Sequence, residues 1–144
     1  RISPSTMQSL LAFVLLVTVA KCEIAIFNSC NETVQVIRNG FNLTELGANR
    51  LALVTDDIPK SGWTFKIGDE GRTEARFRKE SKGLTTFEIN IVRGFDVPML
   101  IKDRMKSIVC EDARCFGKSF LGKTVTSKKI SSRDNEFILN FCPQ

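Results

Sequence analysis

Apolar and polar residues alternate in short segments along most of the chain, which is the period of a β-strand with one buried face. Turn-forming pairs such as Asn39-Gly40 and Lys82-Gly83 separate these segments. Since no segment has a convincing amphipathic helical pattern, the chain is predicted to fold as a sandwich of short strands. Residues 43–51 and 98–107 are predicted as loops or edge strands. The predicted strands are 24–27, 33–37, 62–67, 73–78, 86–92 and 136–141.

The N-terminal part departs from this pattern, because residues 10–19 form an apolar run in which Thr18 is the single polar residue. This run is shorter than the ~20 apolar residues that a membrane-spanning helix needs. It is typical of the apolar core of a secretory signal peptide, and the small residues Ala20 and Cys22 suit cleavage after Cys22. We therefore predict an upstream segment at 1–6, a signal peptide at 7–22 and one secreted domain at 23–144.

Cleavage after Cys22 also makes the number of cysteines even. Four cysteines permit three pairings, and cysteine positions alone do not choose among them. An even set is typical of a protein that folds in an oxidising compartment. Two sequons, which begin at Asn31 and Asn42, agree with a secretory route and are the predicted glycosylation sites. The remaining cysteines are Cys30, Cys110, Cys115 and Cys142.

Charge and composition exclude several classes of function. The formal net charge is +5, and loss of Arg1 and Lys21 with the leader lowers it by two to +3. Basic residues are interspersed with acidic ones, so nucleic-acid binding is not predicted. The chain has no histidine, which excludes a Ser-His-Asp triad, a Cys-His pair and histidine-ligated metal sites. No metal, cofactor or membrane span is predicted, and we expect a monomer.

Four motifs of the mature part carry a resemblance to the thaumatin-like protein family. They are Glu23 to Cys30 (EIAIFNSC), Ser61 to Phe65 (SGWTF), Gly94 to Met99 (GFDVPM) followed by Cys110 to Cys115 (CEDARC), and Phe141 to Pro143 (FCP). The resemblance runs from residue 23 to the end of the chain. It implies an all-β, flattened antiparallel β-sandwich like the core domain of thaumatin.

The resemblance also implies what this chain lacks. The segment between Cys115 and Cys142 is too short for the disulfide-rich second domain of the larger members. Cys30 is expected to pair with Cys142, which would tie the two ends of the mature chain together. In larger members the cysteines of the CEDARC-like segment have distant partners. Those partners are missing here, so Cys110 is expected to pair with Cys115.

The family is associated with defence, often antifungal, through a cleft that binds β-1,3-glucan and in some members hydrolyses it slowly. The resemblance maps this binding cleft onto Arg76, Glu88, Arg93 and Asp96. Arg93 stands where the family has a cleft aspartate. Arg76 stands at the position of the cleft glutamate or, if a loop is deleted, of the cleft arginine. Neither alignment restores the full acidic set of the family.

Glycoside hydrolysis needs two carboxyl groups that flank the scissile bond. The candidates are Glu88 with Glu80, Asp96 or Glu74 as its partner. Strand alternation places Glu74 and Arg76 on one face, and pairing of the two strands would surround Glu88 with arginines. Neighbouring cations stabilise an ionised carboxylate, whereas a general acid must hold its proton. We therefore favour a cross-strand charge pair for Glu88 and lean towards no enzymatic activity.

Two further side chains have competing interpretations. Trp63 could stack on a sugar ring, but a single Trp on a strand is more often part of the core. Asp96 could contribute to the cleft or could stabilise a turn, and the sequence favours neither.

The leading hypothesis is a secreted, defence-type protein that binds β-1,3-glucan or another cell-surface polymer and is non-catalytic or barely catalytic. One alternative is a weak endo-β-1,3-glucanase that uses Glu88 with a second carboxylate. The other is a secreted effector or inhibitor that binds another protein.

Overall fold

The structure is a computed structural model that describes residues 23–144. The predicted signal peptide, the upstream segment and Cys22 lie outside the described residues. No helix within residues 23–144 is long and apolar enough to cross a membrane. The eleven strands of this part are β1 (Glu23–Asn28), β2 (Val34–Arg38), β3 (Phe41–Leu46), β4 (Arg50–Val54), β5 (Trp63–Ile67), β6 (Glu74–Lys79), β7 (Thr85–Asn90), β8 (Met99–Lys102), β9 (Ser107–Cys110), β10 (Ser127–Ser132) and β11 (Glu136–Phe141).

The strands form two sheets that make a β-sandwich. The five-stranded sheet has the order β4-β1-β11-β8-β9, and the six-stranded sheet has the order β10-β7-β6-β5-β2-β3. The predicted all-β sandwich is confirmed. One detail differs from an antiparallel arrangement, because β1 pairs with β11 in parallel. This pair joins strands from the two ends of the described chain, so no hairpin constrains its direction.

The core lies between the sheets and is rich in phenylalanine. Phe65, Phe77 and Phe87 project from neighbouring strands of the six-stranded sheet. Phe137 of the five-stranded sheet contacts the rings of Phe77 and Phe87. The ring centroids are 5.9 Å apart for Phe65 and Phe77 and 5.6 Å for Phe77 and Phe137, in edge-to-face contact. This is the expected outcome of period-two alternation, which gives each strand one apolar face.

Two disulfides cross-link the described part of the chain. Cys30, just after β1, is bonded to Cys142, just after β11, across a sequence separation of 112 residues. Cys110, at the end of β9, is bonded to Cys115 across a separation of five. The structure thus has the pairing that the resemblance implied.

Asn28 fixes the end of β1 against the other sheet. Its side chain is 1% exposed, and its amide donates hydrogen bonds of 2.8 Å to the backbone carbonyls of Glu32 and Leu46. Its carbonyl oxygen accepts the N–H of Cys30 at 3.0 Å. Since Leu46 ends β3, one buried amide joins the two sheets beside the Cys30–Cys142 disulfide.

Asp103 makes a second connection between the sheets, at the β8–β9 turn. Its carboxylate accepts the N–H groups of Met105 and Lys106 at 2.8 and 2.6 Å and the hydroxyl of Ser132, which ends β10. Burial by itself would raise the pKa of Asp103. The three hydrogen bonds and the positive charge of Lys106 outweigh burial and lower that pKa.

The strands that were not predicted are mostly short or exposed. Strands β3, β4 and β8 overlap the segments that were predicted as loops or edge strands. Strands β9 and β10 lie wholly outside the predicted strands, and only Ser107 of β9 falls in a segment predicted as a loop or edge strand. Strand β10 forms the edge of the six-stranded sheet, and its sequence SKKISS has Ile130 as its single large apolar residue. An edge strand with so few apolar residues lacks the period-two signal.

Candidate functional site

The candidate site lies on the open face of the six-stranded sheet, the face that points away from the five-stranded sheet. Strand register sets Thr64 of β5 beside Arg76 of β6, Arg76 beside Glu88 of β7, and Glu88 beside Lys129 of β10. Because directly paired residues project on the same side of a sheet, these four side chains form one row across four strands. The alternation is as predicted, since Phe77 points into the core.

A groove runs over this row. Its volume is about 280 Å³, and it is called the open-face groove below. Arginine and lysine supply three of its side chains, whereas Glu88 supplies the single carboxylate among its lining residues in the described part of the chain. The lining residues are Ser61, Gly62, Trp63, Thr64, Arg76, Phe77, Arg78, Thr86, Glu88 and Lys129.

Glu74 lies on the same face of β6 as Arg76, and two arginines contact its carboxylate. The residue is 7% exposed, and its Oε2 accepts hydrogen bonds from Nε and Nη2 of Arg76 at 3.1 and 2.7 Å. Arg93 Nη1 approaches the other carboxylate oxygen, Oε1, at 4.0 Å. Strand alternation placed Glu74 on the correct face. It did not predict that Glu74 is buried, because Arg93 comes from the loop after β7. The ion pairs orient the guanidinium of Arg76 and occupy both carboxylate oxygens of Glu74.

Glu88 faces the groove without a salt bridge of its own within residues 23–144. Its Oε1 accepts a hydrogen bond from the side-chain amide of Asn90 at 3.1 Å, and Asn90 is itself buried. The cation beside Glu88 in the strand register, Arg76, turns to Glu74 instead. The predicted cross-strand charge pair of Glu88 is therefore wrong, because Arg76 pairs with Glu74, two residues away on its own strand. Glu88 keeps its carboxylate open to a ligand.

Glu80 reaches the rim of the groove through Thr86. The hydroxyl of Thr86, a lining residue, lies 3.4 Å from Oε1 of Glu80 and 3.5 Å from the carbonyl of Arg78. Glu80 itself is exposed and does not line the groove. It is not positioned opposite Glu88 on the groove wall.

Asp96 lies elsewhere and stabilises a loop. Its carboxylate accepts the N–H groups of Arg72 and Thr73 at 3.0 and 2.9 Å, just before β6 begins. The Thr73 hydroxyl in turn accepts the N–H groups of Asp96 and Val97 at 3.0 and 3.2 Å. This reciprocal arrangement fits the turn-stabilising interpretation. Asp96 does not join Arg76 and Glu88 in the groove, and it lines a separate depression with Cys30 and Cys142.

Trp63 packs into the core, as the sequence favoured. It is 7% exposed, and its ring meets that of Phe65 edge to face with centroids 6.1 Å apart. The guanidinium of Arg38 covers the ring at 4.6 Å from the centroid. Its indole is therefore not a stacking platform for a sugar.

Both sequon asparagines are accessible. Asn31 lies in the exposed loop after β1, and Asn42 is an exposed residue of β3. No group of three or more Cys, Asp or Glu side chains within residues 23–144 is placed to hold a metal ion.

The fold and the groove together define a class: a β-sandwich closed by two disulfides, with a groove rich in cations on its open sheet face. Two disulfides in a small domain are typical of proteins that fold in an oxidising, secretory compartment.

Among solved structures, the chain is similar to the protein elicitor MoHrip2 from Magnaporthe oryzae. The TM-score is 0.59 at 18% sequence identity, and the match covers 84% of this chain and 98% of that chain. At this identity the likeness concerns the fold. No protein-family model matches the sequence, and no curated protein matches it.

Proposed function

We propose that this chain is a secreted, non-catalytic protein of defence or effector type that binds an extracellular polymer in the open-face groove. The observation that carries this proposal is the composition of the groove. It presents Arg76, Arg78 and Lys129 around the single carboxylate of Glu88. These groups can donate and accept several hydrogen bonds at once, which suits a polymer rich in oxygen atoms.

The geometry favours binding over hydrolysis. A glycosidase needs two carboxyl groups on opposite sides of the scissile bond, and one of them must hold a proton. Glu74 is occupied by Arg76 and Arg93, Glu80 lies outside the groove, and Asp96 caps a loop. Glu88 is thus left without a partner carboxyl on the groove wall.

Membership of the thaumatin-like lineage is part of the proposal. The motifs that carry the resemblance have structural roles here, which supports it. The Asn28-Ser29-Cys30 segment and the Phe141-Cys142-Pro143 segment meet at one disulfide, and the GFDVPM segment packs on the start of β6 through Asp96. The ligand expected from this lineage is β-1,3-glucan or another cell-surface polymer.

A protein ligand is the second candidate. Neutral sugars usually pack against exposed aromatic rings, yet Trp63 is buried and Phe77 faces the core. A groove of charged side chains suits acidic or polar groups of a polypeptide equally well. The similar structure described above is that of a protein elicitor, which supports an effector-type role.

Co-sedimentation with insoluble polymers tests the proposal. The panel contains β-1,3-glucan, chitin, cellulose and pectate. Lys129→Ala removes a groove cation, and Lys128→Ala is the matched control because alternation puts Lys128 on the opposite face of the same strand. We expect Lys129→Ala to weaken retention by about threefold to tenfold and Lys128→Ala to leave it unchanged.

Three results would contradict the proposal. Equal retention of both variants would show that the groove is not the binding surface. Release of reducing ends from soluble laminarin by the wild type, abolished in Glu88→Gln, would establish the weak glucanase instead. Binding to none of the polymers would favour the protein ligand.

A further inference from the structure

A small hairpin projects from the sandwich between the second disulfide and β10. Lys118 bridges Thr124 in antiparallel fashion, and the N–H of Ser119 donates to the carbonyl of Lys123 at 2.7 Å. The turn is closed by the N–H of Gly122, which donates to the carbonyl of Ser119 at 2.9 Å. Gly122 has a φ of 77°, which a glycine adopts without strain. This segment, residues 118–124, is called the tip hairpin.

The two central residues of the turn are apolar and lie fully in solvent. Phe120 is 104% exposed and Leu121 is 80% exposed. At this exposure neither side chain packs against the hairpin or the sandwich. Adjacent large apolar side chains at such exposure mark an interaction surface rather than ordinary surface composition.

The hairpin stands on a rigid base. Cys115 is held in the disulfide with Cys110, and Phe116 packs against the core. On the other side, the N–H of Val125 donates to the carbonyl of Gly117 at 3.0 Å, and the carbonyl of Thr126 accepts the N–H of Ile91 at 2.7 Å. The tip is therefore held in place before it binds anything, which lowers the entropic cost of binding.

Positive charge flanks the apolar pair. Lys118 and Lys123 lie on the two arms of the tip hairpin, directly behind the apolar pair. Within residues 23–144 neither of them is in a salt bridge. Met105 in the β8–β9 turn is as exposed, at 91%, but the cations beside it are engaged. Arg104 is paired with Glu136 at 3.6 Å, and Lys106 donates to the carbonyl of Ser131 at 2.8 Å.

We propose that the tip hairpin anchors the protein to an anionic lipid surface. Phe120 and Leu121 enter the boundary between headgroups and acyl chains, and Lys118 and Lys123 remain at the level of the lipid phosphates. Charge complementarity favours an anionic lipid surface over an apolar groove of a protein partner. Such a groove would accommodate the two apolar side chains, but it would not account for the two ammonium groups beside them. The anchor is separate from the open-face groove and does not depend on the function proposed for it.

Fluorescence of a tryptophan at the tip tests insertion directly. Phe120→Trp puts a reporter on the turn. Phe41→Trp is the matched control because Phe41 is 78% exposed on β3 and the cation beside it in the strand register, Arg38, is paired with Asp56. Trp63 is buried in both variants and gives the same background. The probe is vesicles of equimolar phosphatidylcholine and phosphatidylserine, with brominated acyl chains as the quencher. Both variants of the full chain keep residues 1–22, so the predicted leader contributes equally.

We expect emission from Phe120→Trp to shift to the blue and to be quenched by the brominated chains, while Phe41→Trp shows neither effect. The double variant Phe120→Ser/Leu121→Ser should bind about a hundredfold more weakly than the wild type. Lys118→Gln with Lys123→Gln should weaken binding roughly thirtyfold, against no change for Lys102→Gln with Lys128→Gln.

Three outcomes would overturn the proposal. The first is quenching of Phe120→Trp that does not exceed that of Phe41→Trp. The second is equal binding to vesicles of phosphatidylcholine alone, which would make the lysines unnecessary. The third is unchanged binding of the Phe120→Ser/Leu121→Ser variant, which would assign any membrane affinity to another part of the chain.

Discussion

Removal of the Cys30–Cys142 disulfide should destabilise the protein far more than removal of the Cys110–Cys115 disulfide. The first closes a loop with a sequence separation of 112 residues, and the second closes one of five. In the chain-entropy treatment, the stabilisation grows with the logarithm of loop length. It amounts to about 4.8 kcal/mol for the long loop and about 2.1 kcal/mol for the short one at 25 °C.

The two double variants, Cys30→Ala/Cys142→Ala and Cys110→Ala/Cys115→Ala, are well matched. Each pair has one buried cysteine and one partly buried cysteine, so truncation of the sulfur atoms costs a similar amount in both. The difference between the variants, about 2.7 kcal/mol, therefore reports loop length rather than lost packing.

Thermal unfolding followed by circular dichroism measures this difference. A domain of roughly 120 residues has an unfolding entropy for which 1 kcal/mol corresponds to about 4 °C in Tm. Loop closure alone should lower Tm by about 19 °C in the first variant and by about 8 °C in the second. Equal shifts, or a larger shift in the Cys110→Ala/Cys115→Ala variant, would refute the reasoning from loop length.

Three further predictions concern single contacts and use urea unfolding as the measurement. Gly62→Ala should cost about 3 kcal/mol, because φ is +84° and the new Cβ would lie 2.7 Å from the Phe77 carbonyl oxygen. The control Gly40→Ala, at a φ of +81° with open space around the new Cβ, should cost about 1 kcal/mol. Equal costs would show that the contact with Phe77 is harmless. Asn28→Ala should cost about 3 kcal/mol by orphaning buried backbone groups, and a loss below about 1 kcal/mol would contradict the role assigned to its amide. The lowered pKa of Asp103 stabilises the fold fully above the ordinary value of 3.8, and this contribution is lost as pH falls through the lowered value. Asp103→Asn should therefore be less stable than the wild type at neutral pH and approach its stability in acid. A difference in stability that stays constant with pH would exclude the linkage.

Period-two alternation predicted the buried face of β5, β6 and β7 correctly, because each of these strands has bulky apolar residues on one side and charged residues on the other. The same signal failed for β10, where lysine and serine occupy both faces of an edge strand. The parallel partnership of β1 and β11 leaves no local trace in the sequence. The cysteines at their ends were its clearest clue.

The candidate site was likewise predictable only in part. Arg76 and Glu88 were placed on the correct face by alternation, whereas Lys129 was missed together with its strand. Asp96 was left between two interpretations because its partner, Thr73, is 23 residues away in sequence. Contacts of that range depend on loop paths, which no local pattern encodes.

The strand order of the smaller sheet has a consequence for biosynthesis. Strand β11 follows the other ten described strands in the chain, yet it lies between β1 and β8 as the central strand of that sheet. A nascent chain on the ribosome cannot complete this sheet until Phe141 has emerged. A prematurely terminated product would leave β1 and β8 with unpaired edges, and such edges favour aggregation and recognition by chaperones.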